Sequence, residues 1–179
     1  MALVVGTDTY ISLEDANSYL ESNYISSAPG LVAWQSMSDD DNEVLLRQAA
    51  KIINKQPLIG YLVDSNQAMA FPRYLYTTGP LEADGINNVM TFYGGFVRYV
   101  RGGLYKQLEV PRSVKEAQCE IAIELALGPN QRQELQRQGV KSFSVPGLSE
   151  TYDGSYNSLI SYKALELLTP FIGGGFNIC

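Results

Sequence analysis

Residues 38–55 read SDDDNEVLLRQAAKIINK, and this stretch sets the kind of fold that the chain can form. The side chains at its start can cap a helix, because hydroxyl and carboxylate oxygens accept hydrogen bonds from the exposed N–H groups and suit the positive end of the helix dipole. Its apolar residues recur at helical spacing and cover a wide stripe: Leu45, Leu46, Ala49, Ala50, Ile52 and Ile53. The pattern predicts a core helix from about 40 to 55.

Two further segments combine helical spacing with a start signal. Ser12 is followed three residues later by Asp15, which resembles a capping box and predicts a short amphipathic helix from about 13 to 22. Pro111 suits the first turn of a helix over 112–127, whose apolar residues leave only a narrow polar strip. That strip consists of Glu116, Glu120 and Glu124, and because these acids repel one another we expect it to face solvent or a basic partner.

A last amphipathic helix is predicted over Leu159–Leu168, ending before Pro170. The segment 22–38 carries no charge in its interior and mixes small and turn-forming residues with the only Trp of the chain, Trp34. We interpret this segment as an ordered loop held by apolar anchors.

Two stretches have the residue types of β-hairpins. Val89–Val100 contains β-branched and aromatic residues split by two glycines, which predicts arms near 88–93 and 96–101. A third extended piece is predicted over 104–110, and a second hairpin over 140–152. The predicted fold is therefore mainly α (α+β), a bundle of about four helices with one or two β-hairpin insertions.

The 179 residues suffice for one domain with a core of its own. We expect a single domain over residues 1–172, with the first hairpin as an arm at about 85–110. Residues 173–179 then form a flexible C-terminal tail, because three successive glycines precede its apolar end.

The composition argues against an enzyme. The chain has no His, which excludes catalytic triads, His-containing zinc sites and His proton shuttles. Cys119 and Cys179 form no Cys-x-x-Cys pair, and nucleotide-binding glycine loops and a Gly-x-Ser-x-Gly elbow are missing from the sequence. The run Asp39–Asp41 is interpreted as a helix cap rather than a cation site, since consecutive helical residues point in different directions. We expect no catalytic residue, no metal and no cofactor.

The sequence shows no sign of a membrane protein. Its first residues lack a basic segment followed by a long apolar run, and no stretch approaches the roughly 18 apolar residues of a membrane span. The expectation is a protein that is soluble and cytosolic when made.

Charge is distributed unevenly along the chain. The formal net charge is −6, with nine acids and three bases in residues 1–66 and equal numbers in the remainder. Within that remainder, residues 98–115 carry five bases and a single acid, Glu109. The chain therefore combines an acidic first third with one basic cluster.

Aromatic residues interleave with this basic cluster over residues 92–112. The composition suits a platform on which single-stranded nucleic acid stacks, and it equally suits a protein interface, where Tyr and Arg are enriched. A chain of charge −6 repels phosphate, which favours the interface. The candidate subunit-interface residues are Phe96, Arg98, Tyr99, Arg101 and Tyr105.

The order of these elements resembles a known family. Thr9–Leu20, the helix Leu45–Asn54, Gln67–Arg73, Val110–Pro111 with its helix, and Gly139–Tyr152 resemble the tailed-phage head-to-tail connector, or adaptor, proteins. Related sequences are also labelled DnaT-like single-stranded-DNA-binding proteins.

The resemblance implies a virion protein that is assembled in the host cytoplasm. Subunits, usually twelve, form a ring beneath the portal protein, extend the channel for double-stranded DNA and offer a platform for the next neck or tail component. The C-terminal segment commonly reaches the portal in such proteins, which implies portal contacts by Gly173, Gly174, Gly175, Phe176 and Ile178.

Two physical features of the chain fit an adaptor. An acidic channel wall repels phosphate and lets DNA slide, and the candidate lining residues are Asp39, Asp40, Asp41 and Glu43. A ring of identical subunits needs two complementary surfaces, which an acidic region and a basic arm can supply, so Arg98 and Arg101 are predicted to contact a neighbouring subunit. The alternatives are a single-strand-binding replication accessory protein and, ranked last, an enzyme with carboxylate chemistry.

Overall fold

The computed structural model describes residues 3–77, 87–93, 96–128, 142–145, 148–151 and 161–173, with side chains described for 3–75, 106–128 and 161–173. These parts hold five helices: α1 (Leu13–Asn23), α2 (Pro29–Ser36), α3 (Asp39–Asn54), α4 (Arg112–Leu127) and α5 (Tyr162–Leu168). They also hold six strands: β1 (Tyr61–Leu62), β2 (Arg73–Thr77), β3 (Asn87–Tyr93), β4 (Phe96–Lys106), β5 (Ser142–Val145) and β6 (Leu148–Thr151). The mainly α fold with β-hairpin insertions is confirmed.

Helix α4 packs against each of the other four described helices. It buries residues around most of its circumference: Val114, Ala117, Gln118, Cys119, Glu120, Ile121, Ala122, Ile123 and Ala126. Its fully buried Gln118 donates hydrogen bonds from Nε2 to Thr9 Oγ1 at 2.7 Å and to the Leu46 carbonyl at 2.8 Å. Gln118 Oε1 accepts from the Tyr10 N–H at 2.9 Å. One amide thus joins α4 to α3 and to the segment before α1.

The starts of α1 and α3 confirm the predicted caps. Ser12 Oγ accepts from the Asp15 N–H at 3.1 Å, and Ser38 Oγ accepts from the Asp41 N–H at 3.2 Å. Each cap satisfies a backbone donor that has no partner within the helix. The bounds of α1, α3 and α4 agree with the predicted ranges to within two residues.

The predicted loop over 22–38 is wrong in its second half, because Pro29–Ser36 forms helix α2. Pro29 occupies the first turn, where its missing N–H costs nothing. Leu31 and Trp34 are buried, and a Cβ at Gly30 would lie 3.0 Å from Ile123 Cγ1 of α4. The glycine allows α2 to approach α4 closely, so tertiary packing stabilises a helix that its turn-forming residues disfavour.

The predicted start of the last helix at Leu159 is also wrong. Ser161 has an extended backbone and caps α5 by accepting from the Ala164 N–H at 3.4 Å, so the helix begins at Tyr162. Ala164 and Leu168 are buried, and a 3-10 turn, Thr169–Phe171, follows.

The first hairpin belongs to a four-stranded antiparallel sheet in the order β1-β2-β4-β3. Strands β1 and β2 fall in stretches for which the sequence predicted no strand. The prediction of a separate extended piece over 104–110 is wrong. Strand β4 continues through Gly102 and Gly103 to Lys106 and pairs there with β2. The second hairpin is confirmed, with β5 and β6 in antiparallel register.

The hairpin β3–β4 extends beyond the rest of the sheet. In the described residues β2 ends at Thr77, opposite Gly103, whereas the pairing of β3 with β4 continues from Val89↔Val100 to Tyr93↔Phe96. We call the hairpin β3–β4 the arm, and this two-stranded portion is its end. Besides the pairing of β3 with β4, the contacts of the arm in the described residues are chiefly those of β4 with β2. A register shift between Asn87 and Val89 separates the end of the arm from its base.

A buried guanidinium fixes the base of the sheet. Arg73, 9% exposed, donates to the carbonyls of Ile59 at 2.7 Å, Gly60 at 2.8 Å, Ala70 at 3.1 Å and Leu58 at 3.3 Å. Burial lowers the pKa of this guanidinium. Gly60 has φ +79°, and a Cβ there would lie 1.9 Å from the Tyr74 carbonyl oxygen. The chain can pass beside β2 only because position 60 has no side chain.

Candidate interaction surface

The first turn of α3 carries three exposed carboxylates, Asp39, Asp40 and Asp41. Ser38 Oγ, besides accepting from the Asp41 N–H, donates to Asp41 Oδ2 at 2.7 Å. The helix dipole offsets part of the repulsion among these charges. The structure therefore brings three of the four candidate channel-lining residues together on one exposed edge.

Glu43, the fourth candidate, has a different environment. Its carboxylate is half-buried and lies 3.1 Å from Arg47 Nη2, and Arg47 Nε lies 3.8 Å from Asp8 Oδ2. Its charge is therefore compensated within the subunit, and it contributes less to the negative potential of the surface than Asp39–Asp41 do.

A cleft of about 180 Å³ opens between α1, α2 and α3. We call it the acidic cleft because its charged residues, Glu21 and Asp39, are both acids. The other residues that line it are Asn17, Leu31, Trp34, Gln35, Met37 and Asn42. Trp34 Nε1 donates to Asn17 Oδ1 at 2.8 Å, which fixes the amide of Asn17 against the buried indole.

Asn42 leaves an acceptor without a partner in this cleft. The residue is 4% exposed, and its Nδ2 donates to the Trp34 carbonyl at 3.3 Å. Asn42 Oδ1 is a buried oxygen that has no hydrogen-bond partner among the described residues. The sequence did not reveal the cleft, because α2 was not predicted. The available signal was Pro29, a helix-start residue just before two buried apolar positions.

The basic cluster is described only in part. The backbone of Phe96, Arg98, Tyr99, Arg101 and Tyr105 lies in β4, and their side chains lie outside the described residues. Lys106 is exposed, and Lys115 is half-buried. The Arg112 side chain is 90% exposed and pairs with Glu116 at 2.7 Å. The described members of the cluster thus lie from the end of β4 to the start of α4.

Glu116, Glu120 and Glu124 were predicted to face solvent or a basic partner rather than to be buried, and this is wrong for Glu120, which is 3% exposed although a basic residue lies beside it. Its carboxylate accepts from Tyr19 Oη at 2.9 Å and from Tyr24 Oη at 2.5 Å. Lys163 Nζ lies 3.9 Å from Glu120 Oε2 and donates to Tyr24 Oη at 3.0 Å. The cluster joins α1, α4 and α5, and its partners lie too far away in the chain for helical spacing to reveal them.

Three tyrosine hydroxyls among the described side chains are held in the neutral form. Burial raises the pKa of Tyr10 to about 12. Burial and the hydrogen bond to Glu120 raise the pKa values of Tyr19 and Tyr24 well above the ordinary value. Burial also raises the pKa of Glu124, and the charge of Glu120 adds to that effect.

Alkaline titration of the folded protein is expected to show late ionisation of Tyr10, Tyr19 and Tyr24. Because folding raises their pKa values, their contribution to stability is complete below pH 10 and is lost as the pH rises, for Tyr10 through about 12. Ultraviolet absorbance of phenolate, followed together with circular dichroism, measures both changes. Tyr10→Phe should lower the amplitude of the late phase, and a phenolate yield that is complete before any loss of structure would contradict the assignment.

Of the candidate portal-contact residues, the structure describes Gly173 alone. Its N–H donates to the Pro57 carbonyl at 2.8 Å, so the backbone is held against the domain up to this position. Gly174, Gly175, Phe176 and Ile178 lie outside the described residues.

None of the helices in the described residues has the length and apolar character that crossing a membrane requires. The same residues contain no group of three or more Cys, Asp or Glu residues placed to hold a metal ion.

One comparison with known proteins gives a match. A family model described as "Putative DnaT-like ssDNA binding protein" matches residues 1–90, which is half of the chain. No curated protein and no solved structure matches the chain significantly. The matched residues include α1, α2, α3 and the acidic cleft.

Proposed function

The chain belongs to the family of DnaT-like ssDNA binding proteins, and within that family we propose that it is a structural adaptor of the head-to-tail neck in a tailed phage. Its copies would assemble into a ring under the portal protein, extend the channel for double-stranded DNA and provide the platform for the next neck or tail protein. The C-terminal residues, among them Phe176 and Ile178, would contact the portal. The proposal assigns the protein a structural role without catalysis, with the virion as its final location.

The charge of the family-matched half is the observation that carries this proposal. Residues 1–66 hold nine acids and three bases. The next base, Arg73, is buried and donates to four backbone carbonyls, so it is not available to phosphate. Binding of single-stranded DNA needs basic residues along a groove, since the release of counterions from the phosphates supplies most of the affinity. This surface would repel a phosphate backbone.

The aromatic residues of the same half are also placed for packing rather than for stacking on bases. Tyr10, Trp34 and Phe71 are buried, and Tyr19 and Tyr24 donate to the buried carboxylate of Glu120. The exposed large hydrophobic residues in the described part of residues 1–75 include a single aromatic, Tyr61. A stacking platform needs several exposed aromatic faces beside basic residues.

An acidic surface is useful to a protein through which DNA must pass. Phosphates are repelled from Asp39, Asp40 and Asp41, so DNA can slide past them without being trapped. The exposure of these three carboxylates at one helix end supports their assignment to the channel wall. The compensation of Glu43 by Arg47 gives Glu43 a smaller part in that wall.

The arm supports assembly. An isolated two-stranded ribbon is only marginally stable in water, and its outer edges offer unpaired backbone groups. A ring would cover such a ribbon with the adjacent subunit, which is the role expected for Phe96, Arg98, Tyr99, Arg101 and Tyr105.

The direct test is electron microscopy of the purified protein mixed with portal rings, together with mass spectrometry of purified virions. The expected result is an additional ring of density on the portal and the presence of the chain in the virion. Virions that lack the protein would overturn the proposal.

A second candidate, a single-strand-binding replication accessory protein, is favoured by the description of the matched family. Its binding residues would lie in the basic and aromatic stretch 92–112. Titration of a fluorescent oligonucleotide at low and moderate salt separates the two candidates. Binding in the micromolar range or tighter, with a steep dependence on salt, favours the accessory protein, whereas no binding favours the adaptor.

A further inference from the structure

The acidic cleft is formed within one subunit, by residues of α1, α2 and α3. Its volume of about 180 Å³ is large enough for the end of a long side chain. Glu21 and Asp39 are exposed, so their carboxylates can meet a ligand without a change in the fold. The indole of Trp34, held by Asn17, provides a rigid wall.

The polar side chains of the cleft indicate which ligand chemistry would fit it. Its two charged residues are carboxylates, and both are exposed. Asn42 also lines the cleft, and its Oδ1 lacks a donor, which is rare for a buried acceptor; this oxygen is covered, so a donor reaches it only if the side chain turns. A hydrogen-bond donor with positive charge would complement the two carboxylates, and the planar guanidinium of Arg offers five N–H groups for this purpose.

The chain itself contains a segment of that chemistry. Residues 98–115 hold five bases and one acid, and Arg98 and Arg101 lie in β4. The contacts of the arm are chiefly with β2 and within the arm, on a different part of the fold from α1, α2 and α3. The arm of a second copy can therefore present its arginines to the cleft.

We infer that the acidic cleft between α1, α2 and α3 is the receptor for the basic arm of a second copy of this chain, with Arg98 and Arg101 as the candidate contact residues of the arm. The inference rests on the proposed adaptor and names the contact that closes its ring. Asp39 then faces the neighbouring subunit, which leaves Asp40 and Asp41 to the channel wall. The two surfaces differ, so the interface is heterologous and each subunit uses both. Charge complementarity of this kind fixes both the choice of partner and the register.

Charge reversal on each side tests the inference. The cleft variant carries Glu21→Lys and Asp39→Lys, and the arm variant carries Arg98→Glu and Arg101→Glu. Each variant alone is expected to self-associate about 100-fold more weakly than the wild type, as sedimentation velocity and native mass spectrometry measure it. The matched control, Glu14→Lys with Glu166→Lys, reverses two exposed acids outside the cleft and should assemble like the wild type.

Mixing the two variants gives the sharper result. The reversed cleft of one chain accepts the reversed arm of the other, so the mixture should assemble into particles in which the two chains alternate. Asn42→Leu provides a milder probe that should weaken assembly but leave thermal stability nearly unchanged, because the Trp34 carbonyl still accepts from the Met37 N–H.

Three outcomes overturn the inference: a cleft variant that assembles like the wild type, a mixture that does not recover assembly, or a wild-type chain that stays monomeric at its highest soluble concentration. The adaptor proposal fails separately. If rings form through the cleft but do not bind the portal, the interface is correct and the neck function is refuted. If rings bind the portal but are insensitive to both charge reversals, the neck function is correct and the interface is refuted.

Discussion

Replacing Arg73 with methionine is expected to lower the free energy of unfolding by about 3 kcal/mol. The substitution keeps much of the apolar stem and removes the guanidinium, which donates to the carbonyls of Leu58, Ile59, Gly60 and Ala70. Those carbonyls lose a charged donor that holds the chain before β1 against the start of β2. For a chain of this size the loss corresponds to a fall in melting temperature of roughly 6–12 °C.

Arg112→Met is the matched control, because it makes the same substitution at an arginine whose side chain is 90% exposed. Its ion pair with Glu116 joins neighbouring turns of α4 at the surface, where such pairs contribute at most about 0.5 kcal/mol. Urea denaturation followed by circular dichroism compares the two variants. Equal losses for both would mean that the carbonyls around Arg73 are satisfied by water.

Replacing Trp34 with alanine is expected to destabilise the protein by about 4 kcal/mol. The indole is 2% exposed and lies in the core between α2 and the helices around it, so its removal leaves a large cavity. The change also removes the Nε1–H that orients Asn17. The acidic cleft should therefore lose its shape when the protein loses stability. Because Trp34 is the only Trp of the chain, circular dichroism rather than fluorescence must follow unfolding.

Trp34→Phe is an intermediate change. It keeps one aromatic ring in the core but removes the other ring of the indole and the Nε1–H that donates to Asn17 Oδ1, so the expected loss is about 2 kcal/mol. A Trp34→Ala protein as stable as the wild type would be incompatible with a buried α2.

The elements that the sequence predicted well are those that local chemistry specifies. Ser12 and Ser38 cap their helices through neighbours three residues away, and the apolar stripes of α3 and α4 repeat over four turns. Such signals need no knowledge of the rest of the fold. The arm was predicted for the same reason, since paired glycines lie between two β-rich runs.

Features built from distant parts of the chain could not be predicted in this way. Helix α2 depends on the close approach of Gly30 to Ile123, and the environment of Glu120 depends on Tyr24 and Lys163. The acidic cleft requires α2 to be present, so it was missed with that helix. Of the predicted site residues, Asp39–Asp41 are exposed together at the start of α3, because they occupy the first turn of a helix whose start is not covered by other described residues.

The change of partner along β4 has a consequence for backbone amides. Gly103 pairs with both β2 and β3, whereas Phe96–Val100 pairs with β3 alone, so protection from deuterium exchange in the free subunit should be strongest near Gly103 and should decline toward Phe96. When copies associate, the slowly exchanging region should lengthen toward the hairpin turn. Mass spectrometry of labelled peptides would then follow assembly in solution, peptide by peptide, without an image of any particle.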